Sequence, residues 1–290
     1  KSALSATVQI AMALEQFLET GLLVSVIVPW LVGLFAGLIA LWILFRRVAP
    51  FKEKPLAAAH QVVVVVPFVF LAVKGTWIWF FDPDYVEAFK EDKVYGNYFP
   101  CIQLVSVMLA FQIWDFCSTV LMSKEVKGQA QHIAHHASST LVCAIALLNG
   151  PHGFLMYYGP FFFGISEISS IPLAFMDLFK YSKELTATYP NANEAIRVSF
   201  AVLFLLLRCI YWPIVSVNFW RNTLTYSAIP LWLEIVWYFF NISLTLLQFY
   251  WGSLIIKGII KKIKGGDRQQ AREAGEALYP EAVEVSRNGA

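Results

Sequence analysis

An all-α integral membrane protein with seven transmembrane helices is the fold class this sequence predicts, on composition, apolar windows and loop charge. Hydrophobic residues make up 58% and charged residues 14% of the chain, against roughly 25% charged in an ordinary soluble domain. The mean hydropathy is +0.59. A helix that crosses a bilayer needs about 20 mostly apolar residues, and the windows 21–45, 57–81, 97–122, 132–149, 154–179, 196–220 and 229–257 each supply such a run. Lys and Arg collect in alternate connections and at the start of the tail: Arg46, Arg47, Lys52, Lys54, Lys124, Lys127, Lys180, Lys183, Arg197, Lys261, Lys262 and Lys264. The opposite loops hold only Lys90, Lys93 and Arg221, and the stretch 82–96 is acidic. The positive-inside rule then places the C-terminus in the cytosol and the N-terminus across the membrane.

Ahead of the first span, Leu4, Val8, Met12 and Leu14 stand near helical spacing, with Glu15 and Glu19 one turn apart, which reads as a short interfacial helix over 2–19. No cleavable signal peptide is read there. Residues 1–56 form this helix and the first span, 57–262 a six-helix domain, and 263–290 a cytosolic tail too poor in apolar residues to build a core and expected to be disordered. The net charge of +2 reflects residues placed by topology, and nothing points to nucleic acid. Cys101, Cys117, Cys143 and Cys209 all fall inside spans and read as small apolar fillers. The sequon Asn241-Ile-Ser243 lies within the last span, out of reach of glycosylation.

Polar residues at membrane depth carry the functional information, because hydrocarbon penalises them unless they are partnered or used. His132, His135 and His136 open span four within roughly the first 6 Å, on one arc continued by Ser139 and Thr140; Asp115 in span three lies about 10 Å in from the same side. Glu167 in span five and Arg208 in span six each sit about 20 Å from that side, at a depth where opposite charges pair. Ser166, Ser169 and Ser170 surround Glu167, and Pro160 and Pro172 interrupt the helical ladder on either side, so span five is expected to line a pocket. Span seven carries Glu234, Asn241 and Gln248 at seven-residue intervals beside Thr245. That stripe faces the bundle interior, toward a ligand or toward other helices. Lys74 in span two is placed to snorkel toward the headgroups.

The string His132-Ile-Ala-His135-His136 has the look of a di-iron box, but such a centre needs several boxes; the chain has five histidines, with His60 and His152 standing apart. No metal site is expected. A retinal protein needs a lysine midway along its last span, and Lys257 comes at the end. What remains is a histidine pair acting as general base on a hydroxyl or amine in a dry pocket, with a carboxylate fixing the tautomer. Acyl transfer to a lipid-like acceptor suits that arrangement. A lipid-binding pocket without turnover suits it as well.

Residues from about 57 to 262 resemble the TLC domain, the membrane module shared by translocating-chain-associated proteins, ceramide synthases and the neuronal ceroid lipofuscinosis group. The resemblance runs through His60, Asp82-Pro83, the segment 111–116 ending near Asp115, His135-His136, the segment 166–172, Arg208 and the segment 247–258, over about 70% of the chain. It implies a six-helix barrel around a lipid-sized cavity, preceded by one extra span. It also implies that His135 and His136 match the ceramide synthase pair that faces acyl-CoA. Those enzymes follow their pair with a histidine- and aspartate-rich run; here Glu167, Ser169, Ser170 and Pro172 stand instead, which is closer to the small TLC-domain-containing proteins. The expectation is therefore a membrane protein, most naturally of the endoplasmic reticulum, that binds a long-chain lipid or acyl-CoA in lipid metabolism. His135, His136, Glu167 and Asp115 are the candidate catalytic groups. Ser166, Ser169, Ser170, Asn241 and Gln248 are the candidate lipid contacts, and Glu167–Arg208 the structural ion pair. No cofactor is expected beyond acyl-CoA as substrate. The rival is a non-catalytic lipid-binding, cargo or accessory scaffold subunit with membrane-protein partners.

Overall fold

A computed structural model describes residues 14–15, 17–126, 130–149, 153–226 and 229–278, with side chains as far as 264. Most of the expected interfacial helix over 2–19 lies outside the described residues. The chain divides into two units, 1–245 and 246–290. Among the described residues the secondary structure is entirely helical. Six helices are long and apolar enough to cross a membrane: α1 (Leu23–Phe45), α2 (Pro55–Phe81), α3 (Phe99–Met122), the broken segment Met156–Tyr181, α6 (Pro190–Leu224) and the run Leu231–Lys264. Helix α4 (Ala130–Leu148) has 19 residues but is not among the six, because its three histidines and its hydroxyl residues dilute its hydropathy. The regular end of the broken segment is α5 (Ser170–Tyr181), and α7 runs Leu231–Leu278.

Prolines mark the starts. Pro55, Pro83, Pro100, Pro160 and Pro190 occupy first-turn positions, where a missing N–H costs nothing and the fixed φ suits a helix; Pro29 and Pro213 lie inside α1 and α6, just after their π-helical stretches Leu23–Ile27 and Leu205–Tyr211. Asp82 caps the short turn after α2 by accepting from Asp84 N–H at 3.2 Å. In the same loop region Tyr226 donates to Asp92 Oδ2 at 2.8 Å; that bond, helped by burial, holds the phenol above its ordinary pKa.

Helix α3 is the hub. In its most apolar window 67% of residues are buried, against 22% for α1. It packs on α1, α2 and α4. Val66, Val69, Val73, Trp77 and Phe80 of α2 are exposed at helical spacing, an apolar stripe suited to lipid. Cys101 and Cys143 are buried fillers, whereas Cys117 is exposed on α3.

Span five departs most from a plain helix. It runs as a 3₁₀ turn (Met156–Tyr158), one α-turn (Gly159–Phe162), a second 3₁₀ turn (Ile165–Ile168) and then α5. Its irregular part lies against α2, where a Cβ placed on Gly75 would stand 2.5 Å from Gly164 Cα and 2.6 Å from Pro160 O. Only glycine lets two backbones approach this closely. Gly75→Ala should therefore cost about 1–3 kcal/mol through overpacking, read as a lowered melting temperature in detergent; an unchanged melting temperature would mean the two segments are free to part.

Helix α7 continues to Leu278, past residue 262, where the sequence reading begins a disordered tail. Gln, Ala, Glu and Arg dominate 269–278, and all of them are good helix formers. Residues 279–290 lie outside the described ones.

Candidate functional site

Two polar clusters are built into the interior of the first unit. The first centres on Asp115 of α3, which is 3% exposed. Its Oδ1 is 2.6 Å from His60 Nε2 on α2 and its Oδ2 is 3.1 Å from His136 Nδ1 on α4. Gln112, one turn earlier on α3, offers Oε1 to the same His136 nitrogen at 2.9 Å. His60 stacks on Trp114 with ring centroids 4.9 Å apart, and His135 lies edge-on to His136 at 5.3 Å. One carboxylate thus orients two imidazoles from two other helices. Because His60 and His136 both point at that carboxylate, they do not converge on a shared centre. Among the described residues no group of three or more His, Cys, Asp or Glu is placed to hold a metal ion.

The second cluster joins span five to α6. Arg208 Nη2 lies 3.3 Å from Glu167 Oε1 and donates to Ser170 Oγ at 3.0 Å, while Nε donates to Ser169 Oγ at 2.9 Å. Ser166 Oγ donates to Phe162 O at 2.7 Å and stands 3.2 Å from Glu167 Oε1. Both charged residues are 7% exposed. Each sits on non-α backbone: Glu167 on the 3₁₀ turn and Arg208 in the π-helical stretch Leu205–Tyr211. A π-bulge widens one turn and re-aims a side chain, and irregular backbone at this depth is tolerated where it faces protein.

A cavity lies apart from both clusters. Its volume is about 40 Å³, and it is open on one side. Val142, Phe154, Trp212, Phe219, Trp237 and Asn241 are among its walls. The sequence reading expected the histidine pair to act in a dry pocket and span five, with Glu167, to line one. None of the three lines this cavity. The physical reason is the reach along α4: Val142, the first cavity residue on that helix, comes six residues after His136, about 9 Å along the axis. Of the expected lipid contacts, Asn241 lines the cavity, Ser166, Ser169 and Ser170 are engaged in the arginine cluster, and Gln248 belongs to the second unit.

The family model of the TLC domain matches residues 57–257. The chain belongs to the TLC-domain family. The matched stretch begins at Ala57, three residues before His60, and takes in α2, α3, α4, span five and α6, so every residue of the two clusters falls within the TLC domain. No curated protein and no solved structure was found to match the chain.

Sequence reading set His60 apart from the other histidines, yet the TLC domain brings it onto Asp115. Gln112 was missed as well. Its signal was available: it stands three residues before Asp115, on the same face of a transmembrane helix, where a lone amide needs a partner.

Proposed function

We propose that this TLC-domain protein is a lipid-handling membrane enzyme of the acyl-transfer class, with His136 as general base. The observation that carries the reading is the pair of oxygens on His136 Nδ1, from Asp115 at 3.1 Å and Gln112 at 2.9 Å. Both are acceptors, so Nδ1 holds the hydrogen and Nε2 keeps the lone pair. In the proposed step a hydroxyl or amine of a lipid-like acceptor gives its proton to Nε2 and attacks the acyl-CoA thioester carbonyl. The C–S bond then breaks, and the departing thiolate takes the proton back from Nε2. Asp115 stays ionised and steadies the imidazolium, and His135 is the second imidazole of the pair. Glu167 with Arg208 holds span five in place, with Ser169 and Ser170 as further acceptors of the guanidinium. The presence of Glu167, Ser169 and Ser170 in place of a second histidine-rich run supports a place among the small TLC-domain-containing proteins rather than the ceramide synthases.

The test is mass spectrometry of the full chain in nanodiscs, supplied with long-chain acyl-CoA and a membrane lipid extract. A newly acylated lipid is expected, reduced about 10²-fold or more by His136→Ala. Equal product from the variant would overturn the enzyme reading. One observation favours the rival, a non-catalytic lipid-binding or accessory subunit: the cavity walls include neither member of the histidine pair.

The same reading gives the chain seven spans in the endoplasmic reticulum, with its C-terminus cytosolic. Nineteen residues make α4 about 28 Å long, close to the hydrocarbon thickness of about 30 Å, and its His136 finds partners on α3. Cysteines introduced in 82–96 and at residue 290 should then label from opposite sides. Labelling from one side would remove a span.

A further inference from the structure

We infer that residues 92–95 form a latched strap against one end of the cavity, and that lifting the strap opens the cavity to water-borne molecules. The inference is independent of the chemistry at His136 and of the number of spans.

The strap holds two of the cavity walls, Phe154 and Leu155. Leu155 N–H donates to Val94 O at 2.8 Å, and the Tyr95 ring meets Phe154 with centroids 5.3 Å apart. The strap belongs to the acidic connection between α2 and α3. Charged side chains there keep water on its outer side.

Leu155 is, among the described residues, the one non-glycine with a positive φ, at 57°. Its Cβ crowds the following carbonyl in that left-handed backbone, and such a residue persists only where its surroundings over-determine it. The bond to Val94 O is that constraint. Phe154 N–H is fixed to Ala146 O of α4 at 2.8 Å, and Gly153, with φ 83°, turns the chain just before it. Once Val94 moves off, Leu155 is free to relax to ordinary backbone, which swings its side chain out of the wall while Phe154 stays anchored. The strain is therefore held in check by the strap.

The strap hangs in turn on Asp92. Its Oδ1 accepts from the N–H groups of Val94 and Tyr95 at 2.8 and 2.9 Å, which folds the strap. Its Oδ2 accepts from Tyr226, in the connection after α6, at 2.8 Å. Asp92 and Tyr226 are only partly buried, and hydrogen bonds that water can reach open at small cost. Val94, 2% exposed, adds the apolar contact that makes the closed position the resting one.

The experiment uses the full chain in phosphatidylcholine nanodiscs with Asn241→Cys, a wall position, treated with a cationic methanethiosulfonate that water carries and hydrocarbon excludes. Peptide mass spectrometry follows the rate at residue 241 and at Cys101, which is buried and outside the wall. The parent should react slowly. Adding Tyr226→Phe should raise the rate at 241 about tenfold, the equivalent of one lost hydrogen bond of about 1.4 kcal/mol, with Cys101 unchanged. Asp92→Asn, which keeps an acceptor for Tyr226, should raise it less. In Tyr226→Phe, hydrogen exchange should quicken in 92–96 and 153–158. An unchanged rate at 241 would overturn the latch, and an equal rise at Cys101 would replace it with general loosening. A parent that reacts as fast as a cysteine put in place of exposed Glu91 would show that no strap closes the cavity.

Discussion

Arg208→Ala should destabilise the protein by about 3–5 kcal/mol, seen as loss of monodisperse material or a sharply lowered melting temperature in detergent. The substitution removes the donors to Glu167, Ser169 and Ser170 together and leaves a carboxylate that is 7% exposed without its counter-charge. Glu167→Ala strands the guanidinium in the same way. Glu167→Gln should cost less than Glu167→Ala, because the amide oxygen still accepts from Nη2 even though the guanidinium loses its counter-charge in both. Since each single change includes the penalty of the partner left alone, the double variant should lose clearly less than the sum of the two. Additive losses would mean the 3.3 Å approach is not an energetic pair and that span five is held by its backbone contacts with α2.

Asp115 should divide stability from turnover. Asp115→Leu removes the acceptor shared by His60 and His136; the buried His60 N–H is left poorly satisfied, at about 1–3 kcal/mol, while His136 Nδ1 keeps Gln112 Oε1. Asp115→Asn keeps the shape and one acceptor oxygen, so the chain should fold. An amide nitrogen facing an imidazole, however, favours the lone pair on the near nitrogen, turning the hydrogen of His136 toward the acceptor lipid. Turnover in the acyl-CoA assay should then fall about 10²–10⁴-fold with little change in melting temperature. A folded Asp115→Asn protein with full activity would remove Asp115 from the positioning of the base.

Much of this architecture is legible in the chain because a bilayer imposes simple rules. Hydrocarbon forces every backbone group into a helix, so apolar runs of about 20 residues announce spans. It also makes each interior charge conspicuous, which is how Asp115, Glu167 and Arg208 stand out from the apolar residues around them. Depth counted at 1.5 Å per residue puts Asp115 in the layer of His135 and His136, and Glu167 level with Arg208. Pro160 and Pro172 mark the span that is broken into 3₁₀ and α turns before α5. Helix α4 is read less easily: the polar groups that make it the candidate site are the same ones that lower its hydropathy.

Depth is one coordinate, and the sequence supplies little about the other two. It does not say which helix faces which, so His60, alone in its span, gave no sign that it shares Asp115 with His136, and Gln112 gave none that it would orient the same ring. Nor does it locate empty space, because a void is decided by how Phe154, Trp212, Phe219 and Trp237 fill the gap between helices, a property of packing and not of any one residue. What the sequence determined by itself was the membrane as solvent, the family, and the set of polar residues that must be buried. What tertiary structure alone decided was their partners, with Asp115 between two imidazoles and Arg208 across from Glu167 and two serines, and the place of the cavity, which begins on α4 at Val142, six residues after His136. The reason is physical: burial follows from composition and periodicity along the chain, whereas contact depends on the rotation and crossing of helices that touch only after folding.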